Sequence, residues 1–144
     1  KYLPQEPSER DTFTMRAAYD DFDQLVRLYP NSTYAIDAAQ RMIHLRNNMA
    51  EYEIHVADYY MRREAYLAAA NRGEYVIENY QRTPAVPDAL VIMARAYRIM
   101  GVDDLADDAI RVLRLNYPDN PDLALLDDPR GYDKAQKDSW WKFW

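Results

Sequence analysis

Between residues 34 and 61 the chain contains neither glycine nor proline, and within that stretch Ala35, Ala39, Met42, Leu45, Met49, Tyr52 and Val56 recur every three or four residues, with Tyr59 or Tyr60 closing the series. Helical periodicity sustained over so many residues predicts one long helix rather than two shorter ones, with Asn47-Asn48 the only place for a bend. Any fold for this chain must accommodate that rod. The flanking sequence reads the same way. Ser8-Glu9-Arg10-Asp11 resembles a capping box with Asp in the final position, and Phe13, Ala17, Ala18, Phe22, Leu25 and Leu28 then mark a first helix ended by Tyr29-Pro30. A third helix spans about 65–80. The Thr83-Pro84-Ala85-Val86-Pro87 segment separates it from a fourth, which Gly101 ends in its C-cap region. Asp103-Asp104 opens a fifth at the end of the helix dipole that favours acidic residues, Tyr117-Pro118 closes it, and Pro121 starts one last short turn.

The helices repeat. Ala94, Tyr97, Gly101, Ala106, Ile110, Leu113 and Pro118 stand at spacings that resemble the tetratricopeptide pattern, in which small residues let paired helices approach closely. A shift of 37 residues puts Ala57, Tyr60, Ala69, Gly73, Val76 and Tyr80 in these roles, and a further 51 puts Ala18, Phe22, Leu25 and Tyr29-Pro30 there. Both spacings exceed the 34 residues of that repeat, and the larger carries the extra turns of the long helix. The expected fold is all-α: a tetratricopeptide-like solenoid of helical hairpins with one long helix. It occupies residues 1–126, and an acidic and aromatic tail follows over 127–144. One hairpin cannot bury its apolar face alone, so the units stack and leave a groove and outer flanks for partners.

Composition narrows the chemistry. The net charge of -6 argues against nucleic acid, whose backbone attracts clustered Lys and Arg. The 14 arginines against 4 lysines lean towards protein interfaces, where a planar fork suits carboxylates. There is no cysteine, and no apolar run approaches the roughly 20 residues needed to cross a bilayer. The first residue is Lys1, not Met, which suggests a piece of a longer protein. His44 and His55 lie eleven residues apart, about 16 Å along a helix, too far to share a metal ion. Asp103, Asp104, Asp107 and Asp108 read as a capping, solvated face rather than a cation site. No nucleophile, acid/base or metal constellation emerges, so no catalysis and no cofactor are expected.

Most of the 13 tyrosines fall on repeat positions and read as packing residues, while Tyr52 and Tyr59 are in excess and suit the lining of a partner groove. In the tail, Trp140, Trp141, Phe143 and Trp144 put four aromatic rings in five residues. Docking on another subunit or back on this chain, insertion into a lipid interface, and disorder all remain open for it.

Several segments together carry a closer resemblance: Arg16-Ala17-Ala18-Tyr19-Asp20-Asp21-Phe22, Leu25-Val26-Arg27-Leu28-Tyr29-Pro30-Asn31-Ser32, Tyr52-Glu53, Val56-Ala57-Asp58-Tyr59-Tyr60 and Asn71-Arg72. In order and spacing, over about residues 9–118, the chain resembles the C-terminal half of the BamD family, lipoproteins of the machinery that inserts β-barrels into the bacterial outer membrane. The resemblance implies a non-catalytic scaffold on the periplasmic face of that membrane, tethered by an N-terminal lipid anchor absent from this chain. It implies docking on the last POTRA domain of the barrel-forming subunit, contacts with small lipoproteins, and contact with unfolded outer-membrane proteins through repeats also absent here. Arg72 matches the family's docking arginine and Arg63 is a second candidate. From the residues alone Arg72 falls on the flank of its helix, where a solvated or internally paired arginine is the plainer reading. A peptide-binding module of the cell envelope is the alternative function.

Overall fold

The computed structural model describes residues 7–128, with side chains from residue 12 onward, and the aromatic tail lies outside the described residues. Six helices follow one another: α1 (Pro7–Leu28), α2 (Thr33–Arg62), α3 (Tyr66–Asn79), α4 (Ala85–Ile99), α5 (Asp103–Asn116) and the single turn α6 (Leu123–Leu126). No strand occurs among the described residues. The fold is all-α and of tetratricopeptide type. Each helix packs on its successor, and α2 also packs on α4, so α2 and α4 form one layer and α1, α3 and α5 the other. Short connections leave successive helices antiparallel.

The long helix is continuous through Asn47-Asn48 for 30 residues, about 45 Å. Ser32 caps it, its Oγ accepting from the Tyr34 N–H at 3.2 Å. Its two halves serve different repeats. The first half packs on α1 through Ala35 and Ala38, whereas Met49, Ala50, Ile54 and Ala57 of the second half join Ala69 and Val76 of α3 and Ala85, Ala89 and Ile92 of α4 in one core. The 14-residue difference between the 51- and 37-residue spacings is thus about four helical turns inserted into α2. A second core joins Leu90, Val91 and Ala94 of α4 to Ala109, Ile110 and Leu113 of α5, and Leu123 and Leu126 of α6 close it.

The repeat register holds at its critical positions. Ala57, Ala69, Ala94 and Ala106 are wholly buried, and Gly73 is buried where α3 crosses α4. A Cβ built on Gly73 would stand 2.7 Å from Met93 Cγ and 3.0 Å from the Ala89 carbonyl oxygen, so the helices meet at a separation that only glycine fits. Ala18, the corresponding residue of α1, is half-buried.

Several expectations shift. The helix α1 begins at Pro7, so Ser8 lies inside its first turn rather than capping it, and proline suits that opening position because its missing N–H has no intrahelical partner there. Phe13, 77% exposed, and Leu28 are not core residues, because α1 turns Met15 and Tyr19 instead towards the core it shares with α2 and α3. The buried stripe of α2 runs through Ala38, Ala50, Ile54 and Ala57 and leaves Ala39 exposed. Pro87 does not delimit α4 but sits in its first turn, where no backbone hydrogen bond is lost.

Candidate functional site at the α2–α3 junction

The same helix ending occurs twice, 37 residues apart. In α4 the Val102 N–H donates to the Tyr97 carbonyl at 2.9 Å and the Gly101 N–H to the Arg98 carbonyl at 3.1 Å, a Schellman motif around Gly101 at φ +75°. In α2 the Ala65 N–H donates to the Tyr60 carbonyl at 2.9 Å and the Glu64 N–H to the Met61 carbonyl at 3.1 Å. Here the left-handed position, at φ 60°, is held by Glu64 instead of glycine. A Cβ in that conformation costs about 1–2 kcal/mol. This cap fixes Arg63, the preceding residue, whose guanidinium carbon lies 5.3 Å from the centroid of the Tyr59 ring. The Tyr59 and Tyr60 rings meet edge to face at 5.9 Å.

Arg72 of α3 completes the edge. Its Nη1 donates to Glu53 Oε2 of α2 at 2.9 Å, and the Tyr60 phenol lies near enough to act on its charge. Burial works against the Arg72 charge, but the Glu53 charge and hydrogen bond, with Tyr60 beside them, outweigh it and raise its pKa. The Glu53 carboxylate is almost out of water, with the residue 5% exposed, whereas the Arg72 side chain is 42% exposed. The guanidinium is therefore held at one corner by a buried anion and presents part of its fork at the surface. Tyr52 lies one turn pair before Tyr59 on the same helical face and is half-buried. Of the residues expected to bind partners, Arg63, Tyr59 and Arg72 thus come together through Tyr60, and Tyr52 flanks them.

Glu53, one of the residues that carry the resemblance, is the participant to which the sequence assigned no role. The signal was present in the repeat: 37 residues on from Glu53 stands Leu90, and 37 on from Arg72 stands Ala109, both buried in the second core. One repeat has an ion pair with its acid buried and its base half-exposed where its sister has a buried leucine and a buried alanine. Hydrophobic replacement of such pairs is often neutral or stabilising, so retention of this pair is not explained by stability. Glu53 for Leu90 and Glu64 for Gly101 are two costly departures, and both lie on the same edge.

Arg98 pairs with Asp103 at 3.0 Å and Asp107 at 2.8 Å, and Arg111 with Asp108 at 2.7 Å, so three of the four aspartates of the α5 cluster are tied to arginines. His44 and His55 are exposed. Among the described residues no group of three or more His, Cys, Asp or Glu side chains is set to hold a metal ion, and no helix is long and apolar enough to cross a membrane. Between α2 and α4 runs a groove of about 500 Å³ with Ile54 in its wall and Glu51, Asp58, Asp88 and Asp122 around it. Arg95 pairs with Asp122 at 2.7 Å at one side. Burial raises the Asp58 and Asp88 pKa values; for Asp88 the neighbouring Asp122, Asp58 and Glu51 carboxylates raise it further.

Known proteins match this chain at the level of sequence. The family profile described as YfiO, outer membrane lipoprotein, matches residues 2–113. An outer membrane protein assembly factor BamD from Neisseria meningitidis is 41% identical over 144 residues, all of this chain and 52% of the relative. BamD of Xylella fastidiosa is 44% identical over 114 residues, 79% of this chain and 39% of the relative, and BamD of Vibrio cholerae is 41% identical over 108 residues, 75% and 45%. The chain spans about half the length, or less, of these curated relatives. With a match across most of its residues and the repeat geometry described above, the chain belongs to the YfiO family of outer membrane lipoproteins.

Proposed function

We propose that the chain is the C-terminal repeat portion of an outer membrane protein assembly factor, and that it acts as a non-catalytic scaffold on the periplasmic face of the outer membrane. The relatives' names support the assembly role. The partner we propose is the last POTRA domain of the barrel-forming subunit, docked on the edge formed by Tyr59, Arg63 and Arg72, with Tyr52 beside it. Small lipoproteins of the machine occupy neighbouring faces, and unfolded outer-membrane proteins are passing clients. One observation carries this reading: the Glu53–Arg72 pair replaces a leucine and an alanine of the sister repeat and leaves a half-exposed guanidinium beside Tyr60, whose ring meets that of Tyr59 edge to face. Arginine and aromatic side chains are the residue types on which interface energy concentrates. The scaffold's work is positional, holding the partner domain in its working orientation.

A pull-down with the isolated POTRA domain tests it. Wild-type chain retains the domain, Arg72→Glu releases it, and the exposed control Arg27→Glu does not. Full retention by Arg72→Glu, in a chain whose helical circular dichroism is unchanged, removes Arg72 from the interface.

The α2–α4 groove favours a second reading, a peptide-binding module of the cell envelope. That reading requires affinity for free extended peptides that survives loss of Arg63 and Arg72.

A further inference from the structure

We infer that Glu53 is a positioning residue for docking: it holds the Arg72 guanidinium in the orientation that receives a partner carboxylate, and it is retained for that purpose and not for the stability of the repeat. This rests on the reading that Arg72 docks a partner. Three observations carry it. Glu53 lies at a core position of α2, 5% exposed, where the sister repeat has the buried Leu90. Its Oε2 accepts from Arg72 Nη1 at 2.9 Å, across from one helix to the next. The arginine side chain stays 42% exposed, so part of its fork remains open to a partner.

An arginine on a helix flank has four side-chain torsions to freeze before its fork can meet a carboxylate, and each immobilised long side chain costs about 0.5–1.5 kcal/mol on association. A buried anion at one corner of the fork meets that cost during folding. Tyr60, seven residues after Glu53 and so on the same face of α2, supports the guanidinium with its hydroxyl. The partner's contribution follows from the chemistry of the site: a carboxylate, received side-on and charge-assisted, with an apolar neighbour against the Tyr59 ring. A neutral polar group in the carboxylate's place leaves the outward half of the fork weakly paired, and a lysine or arginine is repelled.

The test uses substitutions that separate positioning from packing. Glu53→Leu copies the sister repeat, and Arg72 remains free to turn into water. Glu53→Gln keeps an oxygen that accepts from Nη1. For the POTRA domain, Glu53→Leu is expected to weaken docking about fivefold, the scale of one freshly immobilised side chain, while Glu53→Gln stays within about twofold. Glu53→Leu is expected to denature at the same or higher urea concentration than wild type. Nitrogen-15 spectra of the free chain give a partner-independent readout: Arg72 shows hindered guanidinium rotation in wild type and in Glu53→Gln, and free rotation in Glu53→Leu. Wild-type docking by Glu53→Leu, or equally free rotation in wild type, overturns the inference. Should the double variant Glu53→Leu/Arg72→Ala also dock like wild type, the Arg72 reading falls with it; should only the double variant fail to dock, that reading stands and the positioning role of Glu53 is excluded.

Discussion

The Glu53 carboxylate and the Arg72 guanidinium meet at 2.9 Å across the α2–α3 interface, with the acid buried and the base half out. The asymmetry sets the energetics of the pair. Removing the base strands a charge in the interior, whereas removing the acid releases an arginine that can reach water. For Arg72→Ala we expect a loss of roughly 2–3 kcal/mol, below the 3–5 typical of a fully buried pair because Arg72 is part-solvated. Urea unfolding measures it, and the loss is expected to shrink strongly in Glu53→Leu/Arg72→Ala. Equal losses in both chains contradict the assignment of the cost to a stranded Glu53.

Glu64 holds a left-handed backbone at φ 60°, where the sister motif has Gly101. Replacing it with glycine removes the Cβ clash while loosening the unfolded chain, so Glu64→Gly gains about 0.5–1 kcal/mol. Thermal melting is expected to rise by a few degrees, at about 4 °C per kcal/mol for a domain of this size. A fall in melting temperature contradicts the strain.

Gly73 behaves in the opposite sense. Alanine in a helix interior is intrinsically preferred by about 1 kcal/mol, yet here its methyl meets Met93 and the Ala89 carbonyl. Overpacking of this kind costs about 1–3 kcal/mol, so Gly73→Ala is expected to be destabilising by roughly 1 kcal/mol net. A gain in stability by urea unfolding would show that α3 and α4 can separate without penalty.

The groove carboxylates give a pH signature. Burial and then the Asp122, Asp58 and Glu51 charges raise the Asp88 pKa above its ordinary 3.8. In the window between 3.8 and that raised value the folded chain binds more protons than the unfolded one, so this group's contribution to stability falls as pH rises through its folded pKa and stays low at neutrality. Asp88→Asn is therefore expected to stabilise the chain at pH 7, with the difference from wild type vanishing below pH 3.8. Paired melts across pH 3–8 check it, and a neutral or destabilising effect at pH 7 contradicts the sign.

Helix placement was legible in the sequence because punctuation and period agree along the chain: the uninterrupted 34–61 stretch, Tyr29-Pro30, Gly101 and Tyr117-Pro118 each mark where an element runs or stops. The 37-residue register also placed Ala57, Ala69, Ala94 and Ala106 correctly at wholly buried sites. Periodicity was less informative for faces, since α2 serves α1 with one half and α3 and α4 with the other, so a single stripe drawn down its length misplaces Ala39. At the site, Arg72, Arg63 and Tyr59 were nameable from their residue types and from the family resemblance. Glu53 was not, because a charged residue is read as exposed unless a neighbour in space neutralises it, and that neighbour is 19 residues away. Nor was Glu64, because its left-handed backbone is visible only beside Gly101 of the sister repeat.

Photo-cross-linking in the intact cell envelope tests the docking edge most directly, with a photoreactive residue placed in turn at Arg63, Arg72 and the exposed Leu115 of α5. The account predicts adducts to the barrel-forming subunit from positions 63 and 72, mapping to its last POTRA domain, and none from 115. Adducts to that subunit from 115 alone, with 63 and 72 silent, contradict it.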